Sequence, residues 1–145
     1  MNTVFIDVDT QLDFLLPAGA LYVPGAEALI PAIARLNRHA AAHGIPLIST
    51  VDAHPGNDPE FRSWPAHCVA GTLGQRKPEA TLVPGQTIFS KVSTNAFEDG
   101  RLEPLLREMR VRRAVVYGVV TEICVRHAVL GLLRMGLQEI GRAHV

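Results

Sequence analysis

Hydrophobic and polar positions change period several times along the chain, and each change marks an element. Thr3 to Val8 (TVFIDV) is a short, nearly continuous apolar run rich in β-branched residues, which predicts a strand covered on both faces. Pro17 to Gly25 carries turn residues. From Ala26 to His43 the spacing turns helical, with Leu29, Ile33, Leu36 and Ala40 on one face and Gly44 as the stop. Pro46 to Val51 (PLISTV) predicts a second strand, Thr87 to Lys91 (TIFSK) a third and Ala114 to Val119 (AVVYGV) a fourth. Pro104 to Arg112 reads as a short helix with proline in its first turn. Thr121 to Met135 reads as a longer helix, with Thr121 as N-cap and Gly136 as stop. Residues 53–86 are rich in Pro, Gly and polar side chains and show no period. A loop that long inside a compact domain is usually functional. Strands alternating with helices predict an α/β fold, a three-layer α/β/α arrangement around a central, mainly parallel sheet. A single domain spanning residues 1–145 is expected.

Composition narrows the function. Lys plus Arg equals Asp plus Glu at 14 each, so the net charge is zero and no nucleic-acid partner is expected. The cluster Arg107, Arg110, Arg112 and Arg113 is diluted by Glu103 and Glu108 and reads as a solvated helix end. No apolar run approaches the roughly 20 residues of a membrane helix. Asp7, Asp9 and Asp13 interrupt the N-terminal apolar stretch, which is unlike a secretory leader. Two cysteines make no disulfide framework, and a reducing cytoplasm is the expected compartment.

Parallel sheets bind ligands beyond the carboxyl ends of their strands, and the unusual side chains collect there. Asp9 ends the first strand, Asp52 with His54 follows the second, Lys91 ends the third, and Cys124 follows the fourth in GVVTEICV. With Thr121 as N-cap, Cys124 sits among free N–H groups at the positive end of a helix, which favours its thiolate. Alkylation well below the free-cysteine pKa of about 8.5 is therefore expected. A buried aspartate beside it makes a nucleophile–base pair. Asp7 shares a strand face with Asp9 by period two, and spacing alone does not choose between them. Lys91 can stabilise negative charge nearby. Asp52, His54 and His67 offer three ligand atoms of the kind that hold zinc, iron or manganese. Cys68 reads as a buried structural neighbour of His67.

Four segments, in order, resemble the nicotinamidase and isochorismatase-like cysteine hydrolases: DTQLDF (9–14), DAH with WPAHC (52–54 and 64–68), FSKVSTNAF around Lys91, and GVVTEICV (118–125). The resemblance covers roughly Thr3 to Gly136 and selects Asp9 over Asp7. It implies an isochorismatase-like hydrolase fold, with Asp9, Lys91 and Cys124 as the catalytic set. It further implies an oxyanion site on the N–H groups of Val120 and Cys124, and a cis peptide between Val119 and Val120. Asp52, His54 and His67 resemble the metal site of the nicotinamidase branch, with zinc first and iron or manganese as alternatives. That metal would bind the pyridine nitrogen of nicotinamide, with Phe14 and Trp64 flanking the ring and Val119 and Val120 beside it. Asp58 or Glu60 stands where some nicotinamidases carry another histidine. The implied activity is hydrolysis of nicotinamide or a related small amide, serving NAD salvage, by a possible homo-oligomer. Alternatives are a hydrolase of another small substrate and an inactive relative. VSTNA, between Lys91 and Phe97, is shorter than in many nicotinamidases.

Such hydrolases continue past the cysteine helix with a further strand and helix. Here the closing EIGRAHV matches the translation of a common sequencing adapter. Residues 139–145 thus read as a foreign tail, the final strand and helix as missing, and the fourth strand as a bare apolar edge.

Overall fold

The computed structural model describes residues 2–145, with Arg142 described by its backbone alone. Five strands, β1 (Thr3–Val8), β2 (Leu47–Asp52), β3 (Thr87–Lys91), β4 (Arg113–Gly118) and β5 (Gln138–His144), form one sheet in the order β3-β2-β1-β4-β5. Every neighbouring pair is parallel. The helices are α1 (Leu12–Leu15), α2 (Ile30–Ala42), α3 (Leu102–Glu108) and α4 (Arg126–Arg134).

The apolar runs are continuous because both faces of the central strands are covered. Val4, Ile6 and Val8 of β1 join Ile48 and Val116 against Leu102 and Leu106 of α3 and Ala128 and Leu132 of α4. On the opposite face Phe5, Leu47 and Tyr117 meet Ile33 and Ala40 of α2. Each large aliphatic side chain fully buried here contributes roughly 1.5–3 kcal/mol. The unpatterned stretch 53–86 holds three short 3-10 turns, Pro59–Arg62, Leu73–Gln75 and Glu79–Thr81, and an isolated bridge from His54 to Val69.

Two expectations are corrected. The edge of β4 is not bare: β5 lies along it, from Arg113 opposite Gln138 to Gly118 opposite His144. A parallel ladder is made by backbone N–H and C=O groups, so a polar segment without alternation can supply it. Ala143 packs against the Phe5–Tyr117 cluster, and Ile140 lines a groove beside Phe5, Leu36 and Val115. Thr121 is also not the N-cap of α4. The chain enters through extended Val120, and Thr121–Val125 form a π-helical turn before Arg126. Thr121 thus lies inside the first turn, and its Oγ1 hydrogen-bonds His144 Nδ1 at 2.7 Å.

Candidate active site

The strand order creates the crevice. From β1 the chain steps to β2 on one side, and after β3 it returns to β4 on the other, so the crevice opens beyond the carboxyl ends of β1 and β4. Asp9 follows β1 and Cys124 follows β4 at this point.

Asp9 is fully buried and has a left-handed backbone, φ 52°. This turn breaks the period-two expectation. Asp7 stays on the α2 face beside Ser49, while Asp9 swings to the other face and accepts a hydrogen bond from Thr50 Oγ1 at 2.7 Å. Lys91 Nζ lies 2.9 Å from Asp9 Oδ2 and 2.6 Å from Asp52 Oδ1, and donates to the Ser93 carbonyl at 2.8 Å. Burial disfavours the ammonium, but Asp9, Cys124 and Asp52 outweigh it and hold Lys91 charged. Burial and the nearby Asp52 raise the Asp9 carboxyl above its ordinary range, against the opposing pull of Lys91.

Cys124 is buried, and burial followed by the charge of Asp9 pushes its thiol well upward, with Lys91 only partly opposing. These surroundings oppose the expected resting thiolate rather than favour it. The thiol sits in an apolar wall with a carboxylate as its neighbour, and the turn that carries it is π-helical. A thiol beside a carboxylate of raised basicity is an unfired nucleophile–base pair.

The cysteine loop is shaped by Gly118. Its φ is 127°, and a Cβ there would strike the Val8 carbonyl oxygen, so a side chain is excluded. The next peptide, Val119–Val120, is cis. Among the described residues the Val120 N–H meets no hydrogen-bond acceptor.

Ligand atoms of Asp52, His54 and His67 all lie within 4.8 Å of one another. His54 Nδ1 is engaged by Asp58 Oδ2 at 2.8 Å and His67 Nδ1 by the Pro65 carbonyl at 2.7 Å. Both Nε2 atoms therefore turn inward. His54 Nε2 faces Glu60 Oε2 at 3.2 Å and Asp52 Oδ2 at 3.5 Å, and His67 Nε2 faces Glu60 Oε2 at 3.3 Å. His54 Nε2 is buried without a hydrogen-bond partner. Imidazole lone pairs aimed at carboxylates need a cation between them, so this donor set fits a divalent metal. Without one, the neighbouring Asp52 carboxylate leads in raising His54 to about 9, against the opposing effect of its burial. The two acidic side chains left open in the sequence divide their work. Glu60 reaches the cluster, and Asp58 orients His54.

Sequence reasoning missed the scaffolding. Gln11 donates to the Asp52 and Gln75 carbonyls and accepts from Asp52 N–H, each at 2.8 Å. Asp13 accepts from Cys68 N–H at 2.8 Å, next to His67. Phe61 packs its ring 5.4 Å from His54 and 5.5 Å from His67. The signal for Gln11 and Asp13 was the DTQLDF segment itself; nothing pointed to Phe61. Cys68 is buried and outside the ligand cluster.

A cavity of about 280 Å³ joins the two clusters. Cys124, Asp52, His67, Phe14, Trp64, Val119 and Val120 line it. Glu60 and Glu122 also line it, and among the described residues no Lys or Arg does.

The isochorismatase domain family model matches residues 3–140. The chain is 34% identical to the nicotinamidase/pyrazinamidase of Mycobacterium tuberculosis, over 91% of this chain and 79% of that protein. It is 27% identical to the nicotinamidase of Escherichia coli, over 89% and 75%. Among solved structures, the pyrazinamidase of Pyrococcus horikoshii in complex with zinc superposes with a TM-score of 0.88 at 35% identity, covering 94% of this chain and 81% of that one.

Proposed function

Since the chain belongs to the isochorismatase domain family, we propose that it is a metal-dependent cysteine amidohydrolase of the nicotinamidase type. It converts a small heteroaromatic carboxamide, nicotinamide first, to the acid and ammonia. The observation that carries this reading is the shared cavity. The nucleophile and the metal donors face one apolar space without a cationic side chain on its wall. Such a wall suits a neutral planar amide, whereas a dianionic substrate would meet Glu122 with no cationic side chain beside it.

In this mechanism Cys124 Sγ passes its proton to Asp9 and attacks the amide carbonyl carbon. Lys91 keeps the Asp9–Cys124 pair in charge balance throughout. The oxyanion accepts from the N–H groups of Val120 and Cys124. Asp9 returns the proton to the leaving nitrogen, and ammonia departs. A water molecule, deprotonated by Asp9, then cleaves the thioester and frees the thiol. Asp52, His54, His67 and Glu60 would hold zinc, or alternatively iron or manganese, which supplies a Lewis-acid contact for the ring nitrogen. Phe14 and Trp64 flank the ring.

The test is ammonia release from nicotinamide by protein stripped of metal and then reloaded with zinc. Release that needs both Cys124 and zinc supports the reading. Release needing Cys124 but indifferent to metal would instead support a metal-independent hydrolase of this family.

A further inference from the structure

A second buried lysine–carboxylate pair lies on the other face of β1, and the chemistry above leaves it unused. Asp7 is fully buried and Lys77 nearly so. Lys77 Nζ contacts Asp7 Oδ2 at 2.7 Å, the Thr10 hydroxyl, and the Thr10 carbonyl at 3.4 Å. Thr10 Oγ1 donates to Asp7 Oδ1 at 2.6 Å. Asn37 Nδ2 donates to Asp7 Oδ2 at 3.0 Å, and Tyr117 donates to Asn37 Oδ1 at 2.6 Å. The pair thus sits in a buried network whose side-chain polar groups are all matched among the described residues.

Its position is what matters. Thr10 stands between Asp9, whose φ is 52°, and Gln11, which grips both ends of the Asp52 peptide. Gln75–Lys77 are zipped to the same segment: Leu12 N–H donates to the Arg76 carbonyl at 2.8 Å, and Gln11 Nε2 to the Gln75 carbonyl at 2.8 Å. A non-glycine residue in the left-handed region persists only where its surroundings over-determine it.

We infer that the Asp7–Lys77 pair, acting through Thr10, is a positioning clamp that holds the Asp9 carboxylate toward Cys124 and ties the loop bearing the metal donors to β1. Neither residue touches the cavity. The inference rests on the reading that Asp9 serves Cys124.

The test follows alkylation of Cys124 by iodoacetamide, read by peptide mass spectrometry, because that needs no assumption about substrate. The Asp7→Asn/Lys77→Met double variant removes both charges at nearly constant volume, so no lone charge stays buried. Because a thiol raised this far must hand its proton to Asp9 as it attacks, the clamp predicts a cooperative melt with Cys124 alkylation slowed about tenfold or more, the scale expected when a reacting group is misplaced. Thr10→Val, which loses only the linking hydroxyl, should show the same slowing, and Thr10→Ser should restore the wild-type rate. A folded double variant alkylating at the wild-type rate overturns the clamp. Should the double variant fail to fold, Thr10→Val at the wild-type rate overturns it instead. Asp9→Asn is the reference. If it leaves the rate of Cys124 untouched, the hydrolase reading and the clamp fall together. If it slows that rate and the clamp variants do not, the clamp alone is wrong.

Discussion

Two buried lysine–aspartate pairs flank β1, and their contrast explains how this fold separates chemistry from support. Asp9–Lys91 lies on the α3–α4 side, next to a thiol and a cavity. Asp7–Lys77 lies on the α2 side and is closed by Thr10, Asn37 and Ser49. Both pairs carry the same charges at nearly the same separation, 2.9 and 2.7 Å. Burial of an ion pair therefore says little about its role. What differs is the third neighbour: a group that can give up a proton beside Asp9, and a set of saturated hydrogen bonds around Asp7.

The largest expected effect sharpens the reactive side. Cys124→Ala should cut amide hydrolysis by about 1,000-fold or more while leaving the melting temperature near wild type, since the nucleophile is lost and little packing with it. Steady-state ammonia release beside a thermal melt checks both halves. Asp9→Asn comes next, with a loss of about 100-fold or more. Its pH profile is the sharper readout. The Asp9 carboxyl is raised above its ordinary range by burial. The acid limb of kcat/KM should thus lie above the usual carboxylate pKa of about 3.9. An acid limb at or below that value would remove Asp9 as the base.

On the sealed side the leading effect should be on stability. Lys77→Met alone leaves a buried, unpaired carboxylate and should cost about 3–5 kcal/mol in urea unfolding. A cost within experimental error of zero would mean that the pair is not closed off from water.

The metal cluster gives a pH prediction of definite sign. In metal-free protein His54 is raised from 6.5 to about 9 by its carboxylate partners, so its proton stabilises the fold. That stabilisation is complete below pH 6.5 and fades as pH rises through 9. Chelated protein should therefore melt lower at pH 10 than at pH 7, and zinc should narrow the gap. Equal melting temperatures in chelated protein would sink this account of His54. The smallest effect belongs to Trp64, which is 40% exposed at the cavity wall. Trp64→Ala should raise KM for nicotinamide by about tenfold or less, with kcat little changed.

Much of this was legible in the residues themselves. The strands β1, β2 and β4 follow from apolar runs, because a strand covered on both faces needs apolar side chains at odd and even positions alike, while β3 at the exposed sheet edge shows only in the β-branched and aromatic residues of TIFSK. The ends of those strands pointed to Asp9, Asp52, Lys91 and Cys124, because parallel sheets gather ligands there. The side chains that come together as a potential metal-donor cluster, Asp52, His54 and His67, were readable from residue type and spacing. Less legible was anything resting on backbone hydrogen bonding alone. β5 showed no alternation, yet QEIGRAH pairs with β4. Thr121 had the chemistry of a cap, but an extended Val120 moved it inside the turn.

By itself, then, the sequence determined the α/β pattern and which side chains could carry chemistry, since both follow from local period and residue type. Tertiary structure alone decided how those side chains face one another. A left-handed turn at Asp9 sent two aspartates of one apparent face to opposite sides of β1. Burial beside that carboxylate pushes the Cys124 thiol upward, against the thiolate its helix end suggested. Glu60 came to face His54 and His67 from a 3-10 turn that no periodicity announced. Each depends on distances between segments remote in the chain, and neither spacing nor residue type encodes the low-dielectric surroundings in which those charges meet.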